Sequence, residues 1–336
     1  MRVLHLDTGR EWRGGQTQLL HLVRSLPGEV VLPADAPLRP ALEAAGVRVH
    51  GIRARTSLGW AVALRHLVAD RQPDLLAAHT SRAHGHALLA ATGRPVVVHR
   101  RLDFPPRWCS RPKYRAVDRF VAVSQRVAEV LRQAGVAPTR IEVVHDGVAQ
   151  AARVWGRAEA RRLLGLPVRP RLVGAAGALV PHKDHQSLIR AMVGVDAELV
   201  IAGEGPLRDA LRALAQRVGV RLILLGQVEE IGALFGAIDV FAHPSREEGL
   251  GQVVVEAMLA GVPVVSSSAG GLADVLAAGG RGVPPRDPLS LRDALRDALR
   301  DPGPVASARA AAAELFTVEA MVRGTDAAYR RALEGR

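Results

Sequence analysis

Two glutamates eight positions apart, Glu248 and Glu256, frame a glycine turn in the second half of the chain. Gly249 and Gly251 follow an apolar run and precede an apolar helical pattern, so bare backbone N–H groups at a helix N-terminus would face an anion there. Glu256 falls a little over one turn into that helix, on a face that looks back to the loop. Carboxylates accept paired hydrogen bonds from hydroxyl groups. These features suit a site for a phosphorylated, hydroxyl-rich ligand, although in isolation they are more typical of a solvated helix start with ordinary acidic residues. The surrounding sequence favours the ligand site.

Lys183 is one of only two lysines in the chain, the other being Lys113. It lies in the segment 177–185, after an apolar run that predicts the first strand of a second domain. An ammonium group at this place can pair with a phosphate. His182 and His185 flank the lysine with a spacing that superficially resembles a metal pair, but we expect them to cap or solvate the following helix.

The elements that must position these residues are short apolar, β-branched runs that alternate with helical patterns, which predicts βαβ units. In the first half, strands are predicted at 3–7, 30–33, 47–52, 75–79, 96–99, 120–124 and 141–145. After an Arg- and Ala-rich stretch near 150–170, strands are predicted at 172–176, 199–202, 222–225, 240–242 and 262–266. We therefore predict an α/β fold of two doubly wound, Rossmann-like domains facing a central cleft, where ligands of this architecture bind.

The run 248–265 resembles the signature of glycosyltransferase family 4, in which a Glu-x7-Glu motif leads into Glu-Ala-Met and Gly-x-Pro-Val-Val segments. Further segments are similar to family landmarks and occur in the expected order. They are 143–148, 200–206, 225–228, 237–240 and 270–275. The resemblance implies the GT-B fold, with an acceptor-side domain at 1–155, a nucleotide-sugar-binding domain at 156–316, and a C-terminal helix at 317–336 that packs back on the first domain.

The resemblance also implies a role for each residue of the donor site. Glu248 would hold hydroxyl groups of the sugar, Glu256 the ribose, and Lys183 the diphosphate. Backbone N–H groups near the phosphates would come from Gly14, Gly15, Gly249, Leu250 and Gly251. The loop near the base would be Gly226, Gln227 and Val228. The family usually has an Arg five residues before the Lys, where this chain has Ala178. Either Arg13 or Arg246 substitutes for it, or the diphosphate is bound differently.

A histidine often stands near the reacting sugar in this family, and the matching strand-end residue here is His99. Together with Glu248 and Lys183 it forms the predicted catalytic set. A lone histidine at a strand end is otherwise more often structural. The predicted acceptor-side residues are Arg13, His79, Arg100 and Arg101. The segments 100–105 and 113–115 are similar to a bacterial cell-surface glycan subgroup, or they form a structural loop.

The activity implied by the resemblance is retaining transfer of a sugar from a nucleotide-diphosphate sugar, with UDP favoured, to a glycan or lipid-linked acceptor. No Asp-x-Asp sequence occurs, so we expect neither a metal nor another cofactor. Two alternatives remain open. A sugar-nucleotide epimerase of the same architecture would need no acceptor, and a non-catalytic sugar-nucleotide-binding protein is compatible with the loss of Arg at Ala178.

The basic charge is concentrated in the first half of the chain. Residues 1–150 hold 22 Lys and Arg against 12 Asp and Glu, whereas the rest holds 23 against 21. This asymmetry indicates an anionic acceptor or peripheral contact with a membrane surface, or else only an arginine-rich composition. Aromatic residues make up 3% of the chain, and no stacking stripe accompanies the arginines, so a nucleic-acid partner is not expected.

Targeting signals and cysteines give an expectation about location. No stretch approaches the roughly 20 apolar residues of a membrane-spanning helix, and the acidic Asp7 and Glu11 are unlike a secretory signal. The single cysteine, Cys109, cannot form an internal disulfide. We expect a cytoplasmic protein that associates peripherally with the inner face of the membrane.

Overall fold

The computed structural model describes residues 1–12, 14–54, 56–106, 110–149, 153 and 155–335. The chain divides into two compact units. Unit 1 comprises Met1–Gly147 together with Val318–Arg336, and unit 2 comprises Val148–Thr317.

Unit 1 alternates strands and helices along the chain. Its strands are β1 (Val3–Leu6), β2 (Gly28–Pro33), β3 (Val49–Ile52), β4 (Leu75–Ala78), β5 (Val96–Arg100), β6 (Arg119–Ala122) and β7 (Ile141–Val143). Its helices are α1 (Gly14–Ser25), α2 (Arg39–Ala44), α3 (Ser57–Arg71), α4 (Ser81–Ala90), α5 (Arg111–Arg115), α6 (Gln125–Gln133) and, from the end of the chain, α15 (Val318–Glu334).

The strands of unit 1 form a seven-stranded parallel sheet in the order β3-β2-β1-β4-β5-β6-β7. Its central strands are buried along their whole length, as expected for a sheet covered on both faces. One face lies under α15, and Tyr329 and Ala332 of that helix pack on Val3, Ala77 and Val97. The C-terminal helix is thus part of the core of unit 1.

Hydroxyl side chains fix the starts of α3, α4 and α6 in unit 1. Thr56, Thr80 and Ser124 each accept a hydrogen bond of 3.1–3.2 Å from the backbone N–H three residues ahead, at the beginning of α3, α4 and α6. Such N-caps satisfy a donor that a helix end otherwise leaves unpaired. Thr80 and Ser124 follow β4 and β6 closely, so these caps also fix where each chain crossover leaves the sheet.

Unit 2 repeats the pattern. Its strands are β8 (Leu172–Ala176), β9 (Glu198–Ala202), β10 (Leu222–Gly226), β11 (Val240–His243), β12 (Val264–Ser267) and β13 (Arg281–Val283). Its helices are α7 (Arg157–Leu163), α8 (His185–Ala191), α9 (Arg208–Val218), α10 (Ile231–Ala237), α11 (Gln252–Leu259), α12 (Leu272–Ala277), α13 (Pro288–Arg300) and α14 (Val305–Leu315).

The sheet of unit 2 has the order β10-β9-β8-β11-β12-β13, again with parallel pairs. The order reverses between β8 and β11, and in such sheets ligands bind outside the carboxyl ends of the strands at the reversal. Small residues allow close packing there: a Cβ on Gly203 would stand 2.0 Å from the carbonyl oxygen of Gly177. The loops after β8 and β9 therefore meet backbone to backbone.

The predicted α/β class and the pair of doubly wound, Rossmann-like domains are confirmed by these two parallel sheets. Strand β13 was not predicted, because its three residues lie beside a Gly- and Pro-rich stretch that resembles a loop. Among the residues described, none of the helices combines the length and apolar character needed to cross a bilayer.

Candidate functional site

Two predicted donor residues of unit 2, Lys183 and Glu248, lie where its strand order reverses. Lys183 ends a short 3-10 turn, Pro181–Lys183, in the loop between β8 and α8. Glu248 lies five residues after His243, the last residue of β11. Because β8 and β11 are hydrogen-bonded neighbours, the loops that follow them are adjacent. The sheet topology thus brings together two residues that are 65 positions apart in sequence.

Lys183 and Glu248 form a direct ion pair. The Nζ atom of Lys183 donates to Oε2 of Glu248 at 2.6 Å, and Nε2 of His243 lies 3.1 Å from the same oxygen. The aliphatic stem of Lys183 runs past Gly177, where an added Cβ would be 3.6 Å from Cδ. The carboxylate keeps 18% of its side-chain surface exposed. A ligand can therefore reach both members of the pair.

The surroundings of Glu248 keep it ionised. Burial acts to raise the pKa of this carboxyl, but the hydrogen bond from His243 and the charge of Lys183 outweigh burial and lower the pKa to about 2. For His243, burial lowers the pKa of the imidazole and outweighs the nearby carboxylate of Glu248, which acts to raise it. At neutral pH the imidazole of His243 is thus neutral and the carboxyl group of Glu248 is ionised.

The glycine turn after Glu248 is shaped by a second loop. Gly251 has φ of +85° and precedes α11, so it adopts a left-handed conformation that favours glycine. Gly271 donates its N–H to the carbonyl of Glu248 at 3.0 Å, and a Cβ on Gly271 would stand only 1.9 Å from the carbonyl oxygen of Gly249. Leu250 is buried. The turn therefore depends on close backbone approach by Gly271.

Glu256 is the fifth residue of α11, and the prediction that it faces the preceding loop stays a prediction. Burial raises its pKa to about 7. No other described residue forms a hydrogen bond or ion pair with its carboxyl group, which remains partly exposed. A ligand hydroxyl can therefore become its hydrogen-bonding partner.

The loop predicted to lie near the base follows β10. Gly226 has φ of +76°, and its carbonyl accepts a 2.7 Å hydrogen bond from the N–H of Gly203. Gln227 is exposed and Val228 is half-buried. This backbone bond fixes the start of the loop beside the turn that follows β9.

Arg246, one suggested substitute for the arginine missing at Ala178, is engaged in an ion pair. Its Nη2 atom donates to Oδ1 of the buried Asp184 at 2.7 Å, and its backbone N–H donates to the carbonyl of His182. Ala178 itself is exposed in the loop after β8. Arg13, the other suggested substitute, lies outside the described residues. Which group replaces the arginine stays a prediction.

The expectation that His185 caps or solvates its helix is wrong. The residue is 3% exposed, and burial lowers the pKa of its imidazole to about 4. It belongs to the interior of unit 2, where the charges of His243 and Lys183 act with burial to lower its pKa. His182 is exposed, as predicted.

In unit 1, Gly14 and Gly15 open α1, where the resemblance placed a phosphate-facing turn. A Cβ on Gly15 would contact the Cδ atom of Arg101 at 3.8 Å. Arg101 forms an ion pair of 2.9 Å with Asp146. A guanidinium thus lies beside a helix N-terminus, and the acceptor role of this region stays a prediction.

His79 and His99 are stacked inside unit 1. Their ring centroids are 4.3 Å apart, and Nδ1 of His5 lies 3.0 Å from Nε2 of His79. Nε2 of His99 is 2.7 Å from the hydroxyl of Tyr329 on α15. Burial holds the pKa of all three histidines below its ordinary value. His99 is 7% exposed, so the structure places it in the interior, and its catalytic role stays a prediction.

Arg100 is also an interior residue. Its Nη2 atom donates to the carbonyl of Phe104 at 2.7 Å, and Nη1 donates to the hydroxyl of Tyr114 at 3.2 Å. It therefore anchors the loop after β5. The predicted role of Arg100 in acceptor binding would therefore be indirect, through the loop after β5 that its side chain anchors.

Three residues that matter to these sites were given no role from sequence. His243 has a detectable signal, a histidine at a strand end five residues before Glu248. Gly271 lies in a Gly-Gly pair whose close approach depends on tertiary packing. Tyr329 is one of two tyrosines in the chain, but its partner is 230 residues away. Within the described residues, no three His, Cys, Asp or Glu side chains group as a metal site would require.

Two family models match consecutive parts of the chain. The one described as "Glycosyl transferases group 1" matches residues 156–315, and "Glycosyltransferase Family 4" matches residues 12–151. The D-inositol 3-phosphate glycosyltransferases of Mycobacterium bovis and Mycobacterium tuberculosis are 35% identical over 164 residues. That alignment covers 46% of this chain and 34% of the relatives, so the match spans about a third of their length.

Solved structures match over nearly the full length. HepE from Anabaena in complex with UDP has a TM-score of 0.87 at 24% identity, covering 98% of this chain and 100% of that one. A glycosyltransferase from Rickettsia africae has a TM-score of 0.85 at 14% identity, covering 100% and 99%. The lipopolysaccharide outer core galactosyltransferase WaaB has a TM-score of 0.81 at 15% identity, covering 98% and 99%. These likenesses show the GT-B fold. The two family models, which match residues 12–151 and 156–315, show that the chain belongs to glycosyltransferase family 4.

Proposed function

We propose that this protein is a retaining glycosyltransferase that moves a sugar from a nucleotide-diphosphate sugar, with UDP favoured, to a glycan or lipid-linked acceptor. The observation that carries the proposal is the contact of Lys183 with Glu248 beside the glycine turn at the start of α11. It combines a cation and helix N–H groups for phosphates with a carboxylate for hydroxyl groups.

The choice of UDP is supported by the solved relatives. HepE is known in complexes with UDP, with UDP and glucose, and with UDP-glucose. The acceptor class is supported by WaaB, a lipopolysaccharide outer core galactosyltransferase. A role for this chain in assembling cell-envelope glycans follows from these likenesses and is part of the proposal.

In the proposed reaction, the bond between the anomeric carbon and the β-phosphate oxygen breaks on the same face on which the acceptor hydroxyl attacks. A new bond forms between the anomeric carbon and the acceptor oxygen, and the acceptor proton passes to the departing phosphate. Lys183 and the N–H groups of Gly249 to Gly251 stabilise the charge that develops on that phosphate. Glu248 holds the sugar hydroxyls and Glu256 the ribose.

Metal-independent catalysis is also part of the proposal, because Lys183 and backbone N–H groups would stabilise the phosphate charge. The leaving group carries its developing charge next to the ammonium of Lys183, and preorganised donors of this kind are effective in a partly dehydrated site. We expect transfer to proceed in EDTA at a rate within about twofold of the rate with added Mg²⁺ or Mn²⁺. A loss of activity on chelation that Mg²⁺ restores would overturn this part of the proposal.

Peripheral contact with the cytoplasmic face of a membrane is proposed from unit 1. Leu58 and Val62 lie one turn apart on α3 and are 75% and 49% exposed. Apolar residues on the surface of a basic unit suit binding to anionic lipid. Sedimentation with phosphatidylglycerol vesicles, but not with phosphatidylcholine vesicles, tests this, and Leu58→Ser with Val62→Ser should reduce it.

The central experiment is a thermal-shift screen against UDP, GDP and ADP sugars, followed by incubation of the stabilising donor. Stabilisation by a UDP-sugar and transfer to a glycan acceptor with the anomeric configuration kept, as read by NMR, supports the proposal. Release of an epimerised nucleotide sugar from donor alone would show an epimerase. Binding without transfer or hydrolysis would show a non-catalytic binding protein.

A further inference from the structure

One oxygen of Glu248 takes both of the hydrogen bonds that the structure gives its carboxylate. Lys183 Nζ and His243 Nε2 both lie on Oε2, at 2.6 and 3.1 Å. No described residue donates to Oε1. A carboxylate oxygen has two lone pairs, so Oε2 is fully used and Oε1 is the atom left for a ligand hydroxyl.

The direction of the bond between His243 and Glu248 follows from chemistry. An ionised carboxylate can only accept hydrogen bonds, so Nε2 of His243 must carry the proton. His243 is 2% exposed, and its ring stacks at 6.3 Å and 18° on Phe241 of the same strand. The carbonyl of His243 accepts a 3.0 Å hydrogen bond from the Ser266 hydroxyl on β12. The donor is therefore held rigidly by the sheet.

Lys183 cannot supply the same rigidity. In the proposed function it binds the donor diphosphate, and an ammonium shared with a diphosphate is drawn away from Glu248. Its long side chain is also flexible, with the ammonium on four methylene groups. His243 has no such competing partner among the described residues.

We propose that His243 is a positioning residue that holds Glu248 through Oε2 and so directs Oε1 to the hydroxyl groups of the donor sugar while Lys183 binds the diphosphate. This inference rests on the proposed function. It assigns the sugar part of the donor to the unit formed by His243 and Glu248, and the phosphate part to Lys183.

The test measures binding of UDP-glucose and of UDP by calorimetry. His243→Phe keeps a planar ring on Phe241 but removes the donor. His243→Gln keeps an N–H near the position of Nε2. We expect His243→Phe to weaken the binding of UDP-glucose by about ten- to hundredfold, as for loss of a charge-assisted hydrogen bond. The affinity for UDP should stay within about twofold of that of the wild type. His243→Gln should recover most of the affinity for UDP-glucose.

A double-mutant cycle shows whether His243 acts through Glu248. In a Glu248→Gln background, His243→Phe should change UDP-glucose affinity by less than about twofold, because the carboxylate that it positions is gone. Should His243→Phe not fold, His243→Asn replaces it, since the shorter amide does not reach Oε2. A merely structural histidine would instead weaken UDP and UDP-glucose together and lower the melting temperature in both backgrounds.

Two results overturn the role of His243 while the proposed function stands. One is unchanged UDP-glucose affinity in His243→Phe, and the other is an equal loss for UDP and UDP-glucose. Wild-type protein that binds neither probe, nor any other nucleotide sugar, contradicts the proposed function and this role with it.

Discussion

Lys183 and Glu248 meet at 2.6 Å because β8 and β11 are neighbours where the strand order of unit 2 reverses. The ammonium that the proposed reaction needs for the diphosphate is therefore already neutralised by the carboxylate that it needs for the sugar. A diphosphate must compete with Glu248 for Lys183. Donor binding is then an exchange of partners around a fixed carboxylate, and substitutions on either side of this exchange should have separable effects.

The first prediction concerns Lys183 and Glu256, which the proposed function assigns to the diphosphate and to the ribose of the donor. Lys183→Ala and Glu256→Ala should each weaken binding of the nucleotide sugar by about ten- to hundredfold, since each removes one charged contact to the ligand. Calorimetry gives the affinity, and circular dichroism checks the fold. Arg217→Ala, which removes an exposed charge from α9 of the same unit, is the matched control. Unchanged affinity for the nucleotide sugar in both variants would contradict the assignment of the donor site.

The second prediction is a pH dependence of donor affinity that Glu256 causes. Its pKa of about 7 means that it is mostly protonated at pH 6 and mostly ionised at pH 8. Ribose hydroxyls donate to the ionised form, so affinity for the nucleotide sugar should rise about tenfold from pH 6 to pH 8 and then level off. The pKa values of Glu248 and His185, about 2 and about 4, lie outside this window.

The control for this pH dependence is Glu256→Gln. It should bind more weakly than wild type at pH 8 but show nearly the same affinity at both pH values. A nucleotide sugar is the ligand of choice because its diphosphate is esterified at both ends and does not titrate in this range. A steep pH dependence that survives in Glu256→Gln would assign the titration to another group.

The sequence proposed candidates for a donor site but did not predict the contacts between them. Periodicity and glycine placement were enough for α11, because the N–H groups and Glu256 belong to one local segment. The contact of Lys183 with Glu248 depends on strand order, and the shared oxygen with His243 depends on side-chain packing across the turn. Such contacts follow from tertiary structure, which local pattern does not encode.

The same limit explains His99. The pattern placed it at the end of a strand, and the strand β5 includes it. Its stacking on His79 and its bond to Tyr329 need the register of two sheet neighbours and the docking of a helix 230 residues away. A histidine predicted at a ligand-facing strand end is therefore found beneath α15.

The third prediction isolates the glycine turn by sterics. Gly271→Ala should weaken donor binding by about tenfold or more, because the new Cβ would stand 1.9 Å from the carbonyl oxygen of Gly249 and must displace the turn. Gly271 has φ of −74°, so alanine is not strained there and the clash alone is tested. Gly156→Ala, with φ of −70° and nothing near the added Cβ, is the matched control. Equal affinity in the two variants would mean that the turn is not needed for binding.

The fourth prediction concerns acid stability of unit 1. Burial lowers the pKa of His5 to about 3, so the folded unit leaves this ring neutral while the unfolded chain protonates it below about pH 6.5. The unfolded state then binds more protons, and stability falls as pH drops from about 6.5 towards the folded pKa. At pH 5 the loss is about 2 kcal/mol for each ring that stays neutral. Urea unfolding at pH 7.5 and pH 5.0 measures it.

His5→Leu removes one of these rings. Between pH 7.5 and pH 5.0 its free energy of unfolding should therefore fall by about 2 kcal/mol less than that of the wild type. The exposed His66 on α3 provides the comparison, since His66→Gln should retain the full wild-type loss. The comparison uses the difference in the free energy of unfolding between pH 7.5 and pH 5.0, because His5→Leu also breaks the contact with His79 and so changes the stability at every pH. An identical acid loss in wild type and His5→Leu would show that the His5 ring takes up its proton within the folded unit.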